Sequence, residues 1–224
     1  MLTRNDRTVE DAASAIECAC DLGVRHIGFK DVGVSPAAMR ELVQRIRARG
    51  GICYLEVVST SPDSVLRSLE VGRALGVDRI LGGTDLAAAK GVLGELSRYF
   101  PFPGTPVGHP TRLEGSAALV AEHCRSARAS GCGGVDLLAY RATEAEPLDL
   151  VRAARQALPG ATLIVAGSVH SPRQIRDLAQ AGVDAFTIGA AVFDRSFSPA
   201  GASVRDQLRD ILAACEQASR TAAE

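Results

Sequence analysis

Residues 163–193 read LIVAGSVHSPRQIRDLAQAGVDAFTIGAAVF, and this stretch decides the fold. It opens on a short apolar run rich in β-branched residues, turns at Gly167, and starts a helix at Ser171-Pro172. Serine there caps the helix, and proline takes the first helical position. The amphipathic pattern stops at Gly182, where a left-handed residue can close a helix, and a second apolar run follows. Strand, helix and strand in this order form a βαβ unit, which requires a parallel sheet.

Working outward, the same unit returns along the whole chain. Its helix-to-strand junctions are CDLGVRHIGF (20–29), RALGVDRILG (73–82), RASGCGGVDLLAY (128–140) and AQAGVDAFTIG (179–189). Strands are predicted over 1–4, 26–30, 52–58, 79–82, 98–102, 135–140, 162–166 and 185–188. Helices are predicted near 9–22, 36–49, 62–75, 85–96, 114–130, 146–157, 172–181 and 203–218, with Ser35-Pro36 and Ser61-Pro62 as further starts. Eight strands, each followed by a helix, close as a parallel (β/α)8 TIM barrel. The expectation is an α/β fold in a single domain, 1–224, with a short first strand. The alternative, an open doubly wound sheet, usually has fewer strands. It would also carry a glycine-rich fingerprint after the first strand, where this sequence has none.

Composition narrows the function. Hydrophobic residues make up 46% of the 224 and charged residues 23%, enough apolar material for a sizeable core. The net charge of −1, with acids and bases interspersed, argues against nucleic acid or an anionic membrane as partner. No run approaches the ~18 apolar residues of a membrane span, and no leader pattern opens the chain, so a cytoplasmic protein is expected. The six cysteines form no paired CxxC motifs. The histidines are scattered, so neither a zinc site nor another metal is expected. Among 25 basic residues only Lys30 and Lys90 are lysines.

Barrel chemistry sits where strands end, so the strand ends and the loops after them carry the candidates. Ala166-Gly167-Ser168 and Ile188-Gly189-Ala190-Ala191 resemble the phosphate grip of the ribulose-phosphate-binding barrel superfamily. That group includes histidine- and tryptophan-biosynthesis barrels and pentulose-phosphate epimerases. The resemblance implies that backbone N–H groups at Gly167, Ser168, Gly189 and Ala190 hold one phosphate. Ser168 stands where many relatives have a second glycine, and adds a hydroxyl. Read without the resemblance, these glycines only make tight turns.

Alternation in HIGFKDVG puts Ile27 and Phe29 on one side and Lys30 on the other, facing the barrel mouth. A lysine there needs a carboxylate partner, or it becomes a nucleophile. Asp31 is adjacent, and Glu56 ends the neighbouring strand at the same height. Lys30 and Glu56 are therefore either an ion pair closing the barrel top or the catalytic pair. Asp6 follows the first strand, where relatives place an acid or base, although it could instead cap the next helix. His109 lies in the long loop 101–115, a candidate lid, and Arg141 could hold a second anionic group.

The leading expectation is an enzyme without a cofactor that performs aldolase- or synthase-type lyase chemistry on a small phosphorylated, sugar-like substrate. Lys30 would act as imine former or electrophile, and Glu56, Asp31 and Asp6 would move protons. An isomerase or epimerase in which Lys30 stays an ammonium is the first alternative. A non-catalytic phosphometabolite-binding protein is the second. The sequence leaves a homo-oligomer open.

Overall fold

The computed structural model describes residues 1–59 and 61–223. The chain begins with a tight antiparallel pair, β1 (Thr3–Arg4) and β2 (Arg7–Thr8), then α1 (Ala12–Asp21). Next come β3 (His26–Lys30), α2 (Pro36–Ala48), β4 (Ile52–Val57), α3 (Pro62–Leu75), β5 (Arg79–Gly82) and α4 (Leu86–Leu93). The middle holds β6 (Tyr99–Phe100), the hairpin β7 (Thr105–Val107) and β8 (Arg112–Glu114), then α5 (Ala117–Ala129), β9 (Gly134–Leu137) and α6 (Pro147–Ala157). The chain continues through β10 (Thr162–Val165), α7 (Pro172–Gln180), β11 (Ala185–Phe186), the single-turn α8 (Ala190–Phe193) and α9 (Val204–Ala223).

Two parallel sheets, β3-β4-β5-β6 and β9-β10-β11, make most of a ring. Backbone hydrogen bonds bridge the gaps between them. Asp136 N donates to Pro101 O at 3.0 Å, joining β9 to the end of β6. Leu2 N donates to Gly28 O at 2.7 Å, and Met1 N to Ile188 O at 2.8 Å, so the first residues close the ring between β3 and β11. The result is a (β/α)8 barrel whose first strand is short. Among the described residues no helix is long and apolar enough to cross a membrane.

The core has two parts because strand residues alternate in direction. Ile27, Phe29, Leu55, Ile80, Val135, Leu137, Leu163 and Val165 belong to the large buried cluster between strands and helices. Leu81, Phe100 and Ile164, with Tyr54 against them, form a smaller cluster inside the ring. The strands at 26–30 and 79–82 and the helix at 62–75 lie where the pattern predicts them.

Three expectations need correction. The strand predicted over 135–140 stops at Leu137, and Ala139–Arg141 winds into a 3-10 turn that sends Arg141 back over the barrel mouth. The stretch 101–115 is not an open loop but contains the β7–β8 hairpin, paired from Thr105 with Glu114 to Val107 with Arg112. Ser61 precedes α3 without a side-chain cap, whereas Ser35 and Ser171 do cap, accepting from Ala38 N and Gln174 N.

Candidate active site

Lys30 and Glu56 are register partners on β3 and β4, so both side chains point into the barrel mouth. Lys30 Nζ lies 2.7 Å from Asp6 Oδ1 and 3.3 Å from Glu56 Oε1. Asp6 arrives from the turn between β1 and β2. That turn holds Asn5 and Asp6 both left-handed, at φ 51° and 55°, a region these two residue types tolerate better than most. Arg141 grips the same carboxylate with both terminal nitrogens, each at 2.9 Å. Thr111 N adds a bond of 3.0 Å to Asp6 Oδ2, and Arg141 returns one of 3.1 Å to Thr111 O. Thr8 Oγ1 accepts from Lys30 N at 2.9 Å and donates to Lys30 O at 2.7 Å, which fixes the end of β3.

These groups form the floor of a cleft of about 340 Å3 at the C-terminal mouth, and Gly167, Ser168, Gly189 and Ala190 line its wall. The backbone N–H groups of those four residues donate to no protein acceptor among the described residues. Glycine is required at two of them. A Cβ on Gly189 would lie 2.7 Å from the Thr3 carbonyl oxygen, and one on Gly167 only 2.5 Å from Arg141 Nε. The wall and the ionic floor are thus packed directly against each other. His170 Nδ1 sits 2.8 Å from Ser168 O and steadies the turn from outside. A larger cavity of about 420 Å3 lies beneath α1, α7 and α9, but its lining is chiefly aliphatic.

The cleft brings together Asp6, Lys30, Glu56, Arg141 and the four wall residues, and leaves two candidates out. Asp31 follows inward-facing Lys30, so alternation turns it outward, where it accepts a hydrogen bond from Ser68 on α3. It cannot move protons in the cleft. His109 is exposed at the tip of the β7–β8 hairpin and does not line the cleft. Arg141 lines the cleft with its guanidinium bonded to Asp6. No group of three or more His, Cys, Asp or Glu suited to a metal ion occurs among the described residues.

Asp136 on β9 is a buried, inward-facing acid beneath the cleft that the sequence reading overlooked. It is 0% exposed, and neither carboxylate oxygen has a hydrogen-bond partner. The clue was present but disguised. Gly-Val-Asp also occurs at 76–78 and 182–184, where the aspartates accept from Cys53 N and Leu163 N at the starts of neighbouring strands. At 134–136 the motif lies within the strand, so Asp136 points inward from between Val135 and Leu137.

Electrostatics separates the two aspartates. Burial would raise Asp6, but hydrogen bonds from Arg141 and the nearby Lys30 charge outweigh it and hold the carboxyl well below the usual range. Burial and the Glu56 charge push Asp136 well above that range, with Lys30 and Arg141 opposing only in part. From the unfolded-state value of about 4 up to Asp136's raised native value, only the folded state keeps the proton. Stability from this group therefore falls as pH rises through that window. Asp136→Asn should remove the decline. Its thermal midpoint is expected to converge with the parent's near pH 4 and to rise above it as pH climbs from there. Parallel midpoint curves across that range would contradict the assignment.

Fold and cleft together define a (β/α)8 barrel with an ion-paired floor and a glycine-lined wall at its C-terminal mouth. No family model matches the chain, and no curated protein matches it in sequence. Solved structures do match in fold. The orotidine 5'-phosphate decarboxylase of Pyrococcus horikoshii superposes with a TM-score of 0.66 at 14% identity, over 92% of this chain and 94% of that one. A mandelate oxidase with an FMN adduct gives 0.62 at 16% identity, over 94% of this chain and 68% of that one. The BexX/CysO complex of Amycolatopsis orientalis gives 0.61 at 15%, over 96% and 86%.

Proposed function

We propose that this chain is an enzyme that binds a small phosphorylated carbonyl compound by the wall at 167–168 and 189–190. On that reading it is a carbon–carbon lyase, with Lys30 as the charged group at the reacting centre. The observation that carries the reading is the position of Lys30 Nζ, 2.7 Å from Asp6 and 3.3 Å from Glu56, on the floor of the same cleft. Two carboxylates at these distances hold the ammonium form. An ammonium in a water-poor site stabilises negative charge that develops on a substrate carbon or oxygen, and can then protonate it. Glu56, the more loosely held partner, is placed to exchange protons with it. The fold likeness to a 5'-phosphate decarboxylase and the resemblance of the wall to the ribulose-phosphate-binding grip support the same class of substrate and bond.

The imine-forming reading is disfavoured by the same geometry. Nζ would first have to lose its proton within a pair of carboxylates, and only the Glu56 contact is long enough to loosen readily. An isomerase using the ammonium differs only in the fate of the charged intermediate, and the same residues serve it.

The wall is tested without disturbing its packing. Gly167 and Gly189 are unsuitable for substitution because a side chain would strike Arg141 or Thr3, whereas Ala190 is exposed. Ala190→Glu is expected to weaken binding of inorganic phosphate and of phosphorylated aldehydes and ketones at least tenfold, about 1.4 kcal/mol, with the thermal midpoint unchanged. Calorimetric titration showing equal affinity in both proteins would remove the phosphate assignment.

A further inference from the structure

We propose that Arg141 is the side-chain arm of the phosphate site, holding Asp6 with one edge of its guanidinium and the phosphate of a monoester with the other. This rests on the reading of the wall at 167–168 and 189–190 as a phosphate grip. The first ground is a count of donors. A guanidinium carries five N–H donors in a rigid plane. Nη1 and Nη2 each give one hydrogen to Asp6, and Nη1 gives its other hydrogen to Thr111 O at 3.1 Å. The two that remain, Nε–H and one hydrogen of Nη2, make no bond among the described residues. They lie on the same edge of the plane. That edge is a fork of the kind with which arginine takes two oxygens of one phosphate.

The second ground is where the free edge lies. Arg141 ends the 3-10 turn after β9, and its side chain runs along Gly167 so closely that a Cβ there would sit 2.5 Å from Nε. Glycine at 167 therefore leaves the fork uncovered beside the turn. Gly167 and Ser168 are both left-handed, at φ 77° and 59°. For serine this is a sparsely populated region, and such backbone persists where the surroundings hold it for a purpose. The Arg141 side chain lines the cleft and is 21% exposed, so a ligand can reach it.

The third ground is charge. A phosphate dianion needs a cation beside the N–H groups that hold it. Of the lysine and arginine side chains lining the cleft, Lys30 is buried between two carboxylates, and Arg4 stands at the rim 3.8 Å from Asp194. Arg141 is the one packed against Gly167. Together with the four wall N–H groups its free fork brings six donors, two for each terminal oxygen of a phosphate monoester. A diester has only two such oxygens. The same guanidinium holds Asp6, whose Oδ1 also takes Lys30 Nζ at 2.7 Å. Arg141 thus sets the phosphate anchor at a fixed place relative to Lys30.

The test uses the intact chain and inorganic phosphate. In 15N-labelled protein the Nε–H resonance of Arg141 is identified by its loss in Arg141→Lys, or by its proximity to the Gly167 α protons if that variant folds poorly. On titration with phosphate it should shift with the same midpoint as the backbone amides of Ser168 and Ala190. Arg141→Lys should bind phosphate at least tenfold more weakly, because one ammonium cannot serve Asp6 and phosphate as two separate edges do. Dimethyl phosphate should leave the Nε–H resonance in place. An Nε–H resonance that stays fixed while the amides at 168 and 190 shift overturns the proposal and leaves the phosphate wall standing. If none of the three moves, the wall reading falls and the proposal with it. A response to dimethyl phosphate equal to that to phosphate overturns the monoester assignment.

Discussion

Asp6→Ala is expected to lower the unfolding free energy by about 3–5 kcal/mol, the range for breaking a buried ion pair by removing one partner. The size follows from what Asp6 holds. Its carboxylate takes Lys30 at 2.7 Å, both terminal nitrogens of Arg141 at 2.9 Å and Thr111 N at 3.0 Å. Without it, Lys30 keeps only Glu56 at 3.3 Å, and Arg141 loses the partner that folds it over the mouth. The left-handed turn at Asn5-Asp6 also loses the contacts that offset its backbone strain. The pH dependence has a definite sign. Asp6 is depressed in the folded state, so its contribution is fully present above the unfolded value of about 4 and is lost as pH falls below it toward the native value. The difference in urea midpoint between parent and Asp6→Ala should therefore be constant at neutral pH and shrink below pH 4. A difference under 1 kcal/mol at pH 7 would mean that the cluster is not what holds the first strand in place.

Most of the barrel was legible because its signals are local. Glycine after an amphipathic helix, followed by a β-branched run, needs no knowledge of the rest of the chain, and it places β3, β5 and α3 well. Elements whose existence depends on distant partners were not legible. The β1–β2 pair exists because Asp6 is pulled inward by Lys30, 24 residues away, and by Arg141, 135 away. The turn at 139–141 replaces the end of a strand for the same reason.

The site divides along a similar line. Lys30 and Glu56 could be placed by strand alternation plus the rule that barrel chemistry sits at strand ends. The same alternation rule, applied to Val135-Asp136-Leu137, would have found Asp136. It was hidden by a Gly-Val-Asp repeat that is structural in its other two occurrences. Asp31 fell outside the cleft for a geometric reason: adjacency to Lys30 implies the opposite face.

The largest effect on activity is expected at Lys30. The assay substrate is whichever member of a panel of phosphorylated aldehydes, ketones and keto acids the parent protein turns over. On it, Lys30→Met should reduce kcat about 10²–10³-fold, the range for losing one preorganised electrostatic group, or roughly 3–4 kcal/mol. On the proposed reading the effect should fall on kcat more than on KM, because ground-state binding would rest on the wall at 167–168 and 189–190 rather than on Lys30. Lys30→Arg separates the chemical alternatives. A guanidinium keeps the charge but cannot be deprotonated to form an imine. If Lys30 works as an ammonium held between Asp6 and Glu56, the arginine variant keeps measurable turnover, and borohydride treatment of parent plus substrate traps nothing on Lys30. If Lys30 forms an imine, the arginine variant is inactive and a reduced adduct appears at that residue by mass spectrometry. Parent-level turnover in Lys30→Met, with the fold intact by thermal melting, would leave the Asp6–Lys30–Glu56 cluster as a structural closure of the barrel mouth and move the chemistry elsewhere.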